Sequence, residues 1–181
     1  MTRVHQDQRS FRSLLAAMSR PGIPQRLPDA DTFPFGSLGL VLSCLLDSAT
    51  SICLWPGLDK ELENWVAGLN ARRASNLPAD FVLARAADWD WSALDDLPQG
   101  SEEAPENSAT LLCWALRGPG QDYVLQGPGI NGQLTTWLPL APSFLMAWER
   151  NHARYPQGVD VILLLPDACI GLPRSTQIGL P

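Results

Sequence analysis

"GVDVILLLPDACIGLPRST", Gly158–Thr176, carries two short apolar runs on either side of Pro166-Asp167. Proline presets φ and aspartate bonds to nearby backbone, so the pair reads as a tight turn. Runs this short, bounded by turn residues, read as buried strands rather than helices. Two strands joined so closely lie antiparallel, and that requires some hairpin pairing in whatever sheet they enter. Upstream the pattern differs, because helical and strand-like segments alternate there as in parallel units. The combination predicts an α/β fold whose sheet is mixed and covered by helices.

Working outward, "APSFLMAWERNHARYP" reads as a helix with Pro142 near its first turn and Phe144, Leu145, Trp148 and His152 along one side. Before it, "ATLLCWAL", "RGPGQD" and "YVLQG" read as a hairpin, two apolar runs around a Gly-Pro link. "DFVLAR" and "SICLW" read as strands, and "DWSALDDL" as a short acidic helix. "LDKELENWVAGLN" reads as an amphipathic helix capped by Asp59, with Leu62, Trp65, Val66 and Leu69 inward. "SLGLVLSCLL" is apolar on nearly every side and reads as a buried helix. In "QDQRSFRSLLAAMSRPG" the spacing of Phe11, Leu14, Leu15 and Met18 predicts a helix buried on that face, with Asp7 as N-cap and Pro21-Gly22 as its stop. "PQGSEEAPENS" reads as a solvated surface loop, and residues 1–181 as one domain with no internal repeat.

Composition narrows the functional classes. A net charge of -6 and a pI near 4.8 argue against nucleic acid as a partner, whose affinity rests on Lys and Arg contacts to phosphates. No apolar run is long enough to span a bilayer and the N-terminus lacks a signal-peptide core, so the expectation is a cytoplasmic protein without membrane contact. Cys44, Cys53, Cys113 and Cys169 are dispersed among apolar neighbours and read as buried free thiols, with no metal site expected. Of the thirteen basic residues only Lys60 is a lysine, so any Schiff-base chemistry has one candidate. Its neighbours Asp59, Glu61 and Glu63 favour the protonated form, a poor nucleophile.

Two motifs stand out among the polar residues. "VLQGPGINGQ", Val124–Gln133, has the glycine spacing of a phosphate loop at Gly127 and Gly132 but lacks the following Lys-Ser/Thr pair. A dinucleotide fingerprint is excluded too, since no convincing helix follows Gly127 and Gly129. The stretch reads as a turn leaving a strand; backbone contact with an anion or a partner is the lesser alternative. "GLPRST" offers Arg174, Ser175 and Thr176 at the end of an apolar run, equipment for holding phosphate or carboxylate. An equal alternative pairs Arg174 with Asp160, whose carboxylate at the start of a buried strand needs a partner. No "G-x-S-x-G" or other nucleophile arrangement marks a hydrolase.

"SFRSLLAAMSRPG", "LQGPGI" and "GVDVILLLPDACIGLPRST", in this order and spacing across nearly the whole chain, resemble the PhnH family, the H subunits of the bacterial carbon-phosphorus lyase system. The resemblance implies a three-layer α/β/α domain related to the large domain of pyridoxal-phosphate-dependent transferases, without that cofactor or its lysine. It also implies a homodimer within an assembly containing the G, I and J subunits. With G, I and the L protein, H supports displacement of adenine from ATP by a phosphonate, giving ribose 1-phosphonate 5-triphosphate. Within that reading the chain is an assembly subunit rather than the catalytic one, because displacement at an anomeric carbon calls for carboxylates that the acids here do not group to provide. Arg12, Asp160, Arg174, Ser175, Thr176, Gly127 and Gly129 lie inside the matching motifs and are the candidates for ligand or partner contact. The residues leave a rival open, a self-sufficient enzyme that binds a phosphorylated substrate near Arg174.

Overall fold

The computed structural model describes residues 3–115 and 120–181, with side chains from residue 5 onward. The elements in chain order are α1 (Arg3–Ser19), β1 (Gln25–Arg26), α2 (Ser37–Leu45), β2 (Ser51–Leu54), α3 (Lys60–Ala67), β3 (Arg72–Ala74) and β4 (Phe81–Arg85). A 3-10 segment, Trp91–Asp96, precedes β5 (Thr110–Trp114), β6 (Gln121–Gln126), β7 (Leu134–Leu138), α4 (Phe144–Ala153), β8 (Asp160–Leu164), β9 (Ala168–Leu172) and β10 (Gln177–Gly179).

Seven strands form one sheet in the order β1-β9-β8-β5-β4-β2-β3. β3, β2, β4, β5 and β8 run parallel, while β8–β9 and β9–β1 are antiparallel. The sheet is therefore mixed, as the Pro166-Asp167 turn requires: Leu164 opposes Cys169 and Leu163 opposes Ile170 across it. The central strands are buried on both faces, which is why they read as unbroken apolar runs. Ile52, Leu83, Leu112 and Ile162 point into a cluster shared with α1, α2 and α3. Cys53, Val82, Leu111 and Val161 point the other way, into a cluster containing Trp91, Leu94, Phe144 and Trp148.

That second face departs from expectation. It is covered by α4, the 3-10 segment and a small sheet of order β10-β6-β7, rather than by helices alone. β5 and β6 do not form the expected hairpin. β5 is a central strand between β4 and β8, and β6 pairs with β7 and β10. Part of the link between them, residues 116–119, lies outside the described residues. Two apolar runs around Gly-Pro residues look alike whether the chain folds back or leaves for another layer, and only the competition for neighbours separates the cases. Tyr123 of β6 joins the layers: its hydroxyl donates to the carbonyl oxygens of Leu140 (2.9 Å) and Ala141 (3.1 Å).

α1 also differs in detail. It begins at Arg3, so Asp7 lies inside it and is not the N-cap. Its buried positions are Ser10, Leu14 and Ala17, while Phe11 (48% exposed) and Leu15 (53%) face outward. The small residues face the sheet because the approach is close: a Cβ on Gly171 would lie 2.6 Å from the Ala17 carbonyl. Cys53, Cys113 and Cys169 are buried free thiols, and Cys44 is half-buried with its thiol directed at the Asp7 carbonyl. Burial pushes the Cys113 and Cys169 thiols up to about 12. "DWSALDDL" is 3-10 rather than α, opened by Asp90, which accepts from the Ser92 amide at 3.0 Å. Among the described residues no helix is long and apolar enough to cross a membrane.

Candidate functional site

Asp160 opens β8 immediately after Gly158 and Val159, and α4 holds this entry in place. The buried Asn151 side chain accepts from the Val159 amide (2.7 Å) and donates to the Val159 carbonyl (2.9 Å). Arg174 follows β9, the strand next to β8, so its side chain reaches Asp160 along the shared edge. Its Nε and Nη2 donate to the two carboxylate oxygens at 3.1 and 2.8 Å, and its amide donates to Oδ1 at 2.8 Å. Nη1 donates to the Pro105 carbonyl at 2.8 Å, tying in the polar loop. Both side chains are largely buried, 15% and 20% exposed. A forked pair with all three guanidinium nitrogens bonded inside the protein is the arrangement that anchors loops.

Beyond Arg174 the chain turns, with the Thr176 amide donating to the Pro173 carbonyl at 2.8 Å. The Trp148 indole donates to the Thr176 carbonyl at 2.8 Å. Thr176 is fully buried and its hydroxyl has no hydrogen-bond partner; Ser175 is half-buried. The glycine stretch lies against this turn. A Cβ on Gly127 would sit 2.9 Å from the Ser175 carbonyl, and one on Gly129 would sit 2.2 Å from the Ser19 carbonyl at the end of α1. Both glycines have positive φ, 131° and 84°, so they supply a backbone shape and a close approach together. The stretch joins β6 to β7 and so closes an antiparallel pair; it does not lead into a helix. Thr136 of β7 donates to the Gly22 carbonyl at 3.1 Å, completing the contact with "SRPG".

The three stretches singled out in the sequence thus meet in space. Asp160, Arg174, Ser175, Thr176, Gly127 and Gly129 gather where α1, the β6–β7 loop and the end of β9 converge. Arg12 is not brought to them; it is exposed on α1. Beside the cluster, between α4 and β10, is a pocket of about 300 Å3 whose lining includes Trp148, Glu149, His152 and Gln177. His152 Nδ1 lies 3.0 Å from the Arg174 carbonyl, an acceptor only, so in this contact Nδ1 is the donor. Glu149 was not a sequence candidate. Its only signal is the Glu149/His152 spacing of three on one helix, which also describes a solvated face.

Comparison with known proteins agrees with the motif reading. The family model described as "Bacterial phosphonate metabolism protein (PhnH)" matches residues 1–179. The alpha-D-ribose 1-methylphosphonate 5-triphosphate synthase subunit PhnH of Rhizobium meliloti (strain 1021) is 34% identical over 97% of this chain and 91% of its own. The putative C-P lyase subunit protein HtxG of Stutzerimonas stutzeri is 34% identical over 96% of this chain and 86% of its own. With matches running nearly end to end, the chain belongs to the PhnH family of bacterial phosphonate metabolism proteins.

Proposed function

We propose that this chain is a subunit of a carbon-phosphorus lyase assembly and acts in the step in which a phosphonate displaces adenine from ATP, giving ribose 1-phosphonate 5-triphosphate. The observation that carries the reading is the near full-length match to a named subunit of ribose 1-methylphosphonate 5-triphosphate synthase. Its part is structural, as a homodimer bound to the G, I, J and L proteins, and the reacting groups belong to a partner. The geometry supports this division, because the Arg174 guanidinium is committed to Asp160 and Pro105. The fold kinship we propose is with the large domain of pyridoxal-phosphate-dependent transferases, without the cofactor: the one lysine, Lys60, is exposed on the first turn of α3.

The test is to incubate the purified chain with ATP and methylphosphonate, alone and with the G, I and L proteins, and to measure free adenine. Release only in the complete mixture is expected. Turnover by this chain alone would establish instead an enzyme in its own right, and unchanged turnover when the chain is left out would remove it from the step. Co-expression with the partners followed by sizing checks the assembly separately.

A further inference from the structure

The order of the large sheet contains a reversal that the family reading does not use. From β2 the chain passes through α3 to β3 at the sheet edge, then returns to β4 on the other side of β2 and continues to β5. α3 packs on one face and the 3-10 segment between β4 and β5 on the other. The carboxyl ends of β2 and β4 are therefore the point at which connections diverge, and in open α/β sheets such a crevice is where ligands bind.

Arg85, the last residue of β4, stands at that point. Its guanidinium lies 5.3 Å from the centre of the Trp114 ring at the end of β5. Nη2 bonds to the Asp59 carboxylate. Nε is buried without an acceptor; Asp88 Oδ2, at 3.7 Å, is beyond hydrogen-bond range. Asp59 is the N-cap residue of α3, yet its side chain accepts nothing from its own helix, and it is 63% exposed against 26% for Arg85. A carboxylate at an N-cap ordinarily bonds the first helical amides. Here an exposed surface acid covers an inner arginine whose hydrogen bonding is incomplete.

We propose that Arg85 is an oxyanion-binding residue at the carboxyl ends of β2 and β4 and that the Asp59 carboxylate occupies the anion position in the free protein. The ligand is a tetrahedral oxyanion, the chemistry shared by phosphates and phosphonates. On binding, its oxygens take Nη2 and the unused Nε, and Asp59 swings back to cap α3. Trp114 holds the guanidinium plane from behind, and Asp88 stays close enough to keep the affinity modest. The site is separate from the Asp160–Arg174 cluster and the inference does not depend on the assembly reading.

Isothermal titration of the full chain with inorganic phosphate and, separately, methylphosphonate tests it, at constant ionic strength. Saturable millimolar binding is expected, with the tighter ligand naming the source of the oxyanion. Arg85→Gln should abolish the heat. Asp59→Asn, which keeps a capping side chain but removes the competing charge, should tighten binding by about tenfold. In nitrogen-labelled protein the Arg85 Nε–H resonance should move along the titration. No saturable heat in either wild type or Asp59→Asn would overturn the proposal, as would wild-type binding by Arg85→Gln. Should Arg85→Gln not fold, Asp59→Asn decides alone, and affinity no tighter than wild type refutes the competition.

Discussion

Replacing Arg174 by Ala leaves the Asp160 carboxylate in a largely enclosed place without its forked partner. Removing one member of such a pair costs about 3 kcal/mol. For a chain of this length that lowers the melting temperature by roughly 6–12 °C, readable by calorimetry. Asp160→Ala should cost about as much, and the double variant little more than either single one, because both remove the same interaction. Additive losses would contradict the coupling. Asp95 gives a pH-dependent case. Burial raises its pKa, but hydrogen bonds from Arg150 (2.8 Å) and Arg154 (2.7 Å), with their charges, more than offset that and hold it below the ordinary 3.8. A depressed carboxylate stabilises the fold above its unfolded pKa and loses that contribution as pH falls through the folded value. Asp95→Asn should therefore melt below wild type at pH 7, and the gap should close from about pH 4 downward. A gap that persists at pH 2 would assign the loss to geometry instead. The sequence shows each of these acids and arginines but not which pairs form: Asp160 and Arg174 are adjacent only because β8 and β9 are, and Asp95 meets α4 from 55 and 59 residues away.

Between elements, the contact of α1 with β9 depends on Gly171. An added methyl would meet the Ala17 carbonyl carbon and oxygen at 2.6 Å and the Met18 amide at 2.8 Å, all backbone. Helix and strand would have to separate, and Gly171→Ala is expected to lose about 1–3 kcal/mol in chemical denaturation. Gly179→Ala, where nothing lies within 4 Å and φ is not positive, is the matched control and should be near neutral. Equal losses in the two would show that removing glycine itself, not helix proximity, sets the cost. The existence of α1, α2, α3, α4 and the central strands was legible in periodicity and turn chemistry. The inward face of α1 was not, because Phe11 and Leu15 carry the larger apolar surface. The sheet instead selects the small residue Ala17, which lets the backbones approach. Strands β1, β3, β7 and β10 were missed for a related reason. They are short or half-exposed edge strands, and most of their order comes from a neighbour rather than from their own composition.

Across the whole molecule, every central strand sends alternate residues into both apolar clusters, so neither layer can melt without exposing the sheet between them. Thermal unfolding followed by far-ultraviolet circular dichroism and by tryptophan fluorescence should give one coincident transition, and resolved midpoints would show separate units. Leu111→Ala and Leu112→Ala, buried on opposite faces of β5, should each cost about 2–5 kcal/mol and lower that single midpoint. The sequence by itself determined the α/β class, the mixed character of the sheet, the burial of Cys53, Cys113 and Cys169 though not of Cys44, and the family. Those follow from local pattern, a tight turn and word order, each carried by neighbouring residues. Tertiary structure alone decided that β5 lies between β4 and β8, that three distant motifs pack into one another, and that Arg85 stands at the reversal of strand order. Strand neighbours are chosen by competition for burial among segments tens of residues apart, and no stretch of sequence contains the outcome of that competition.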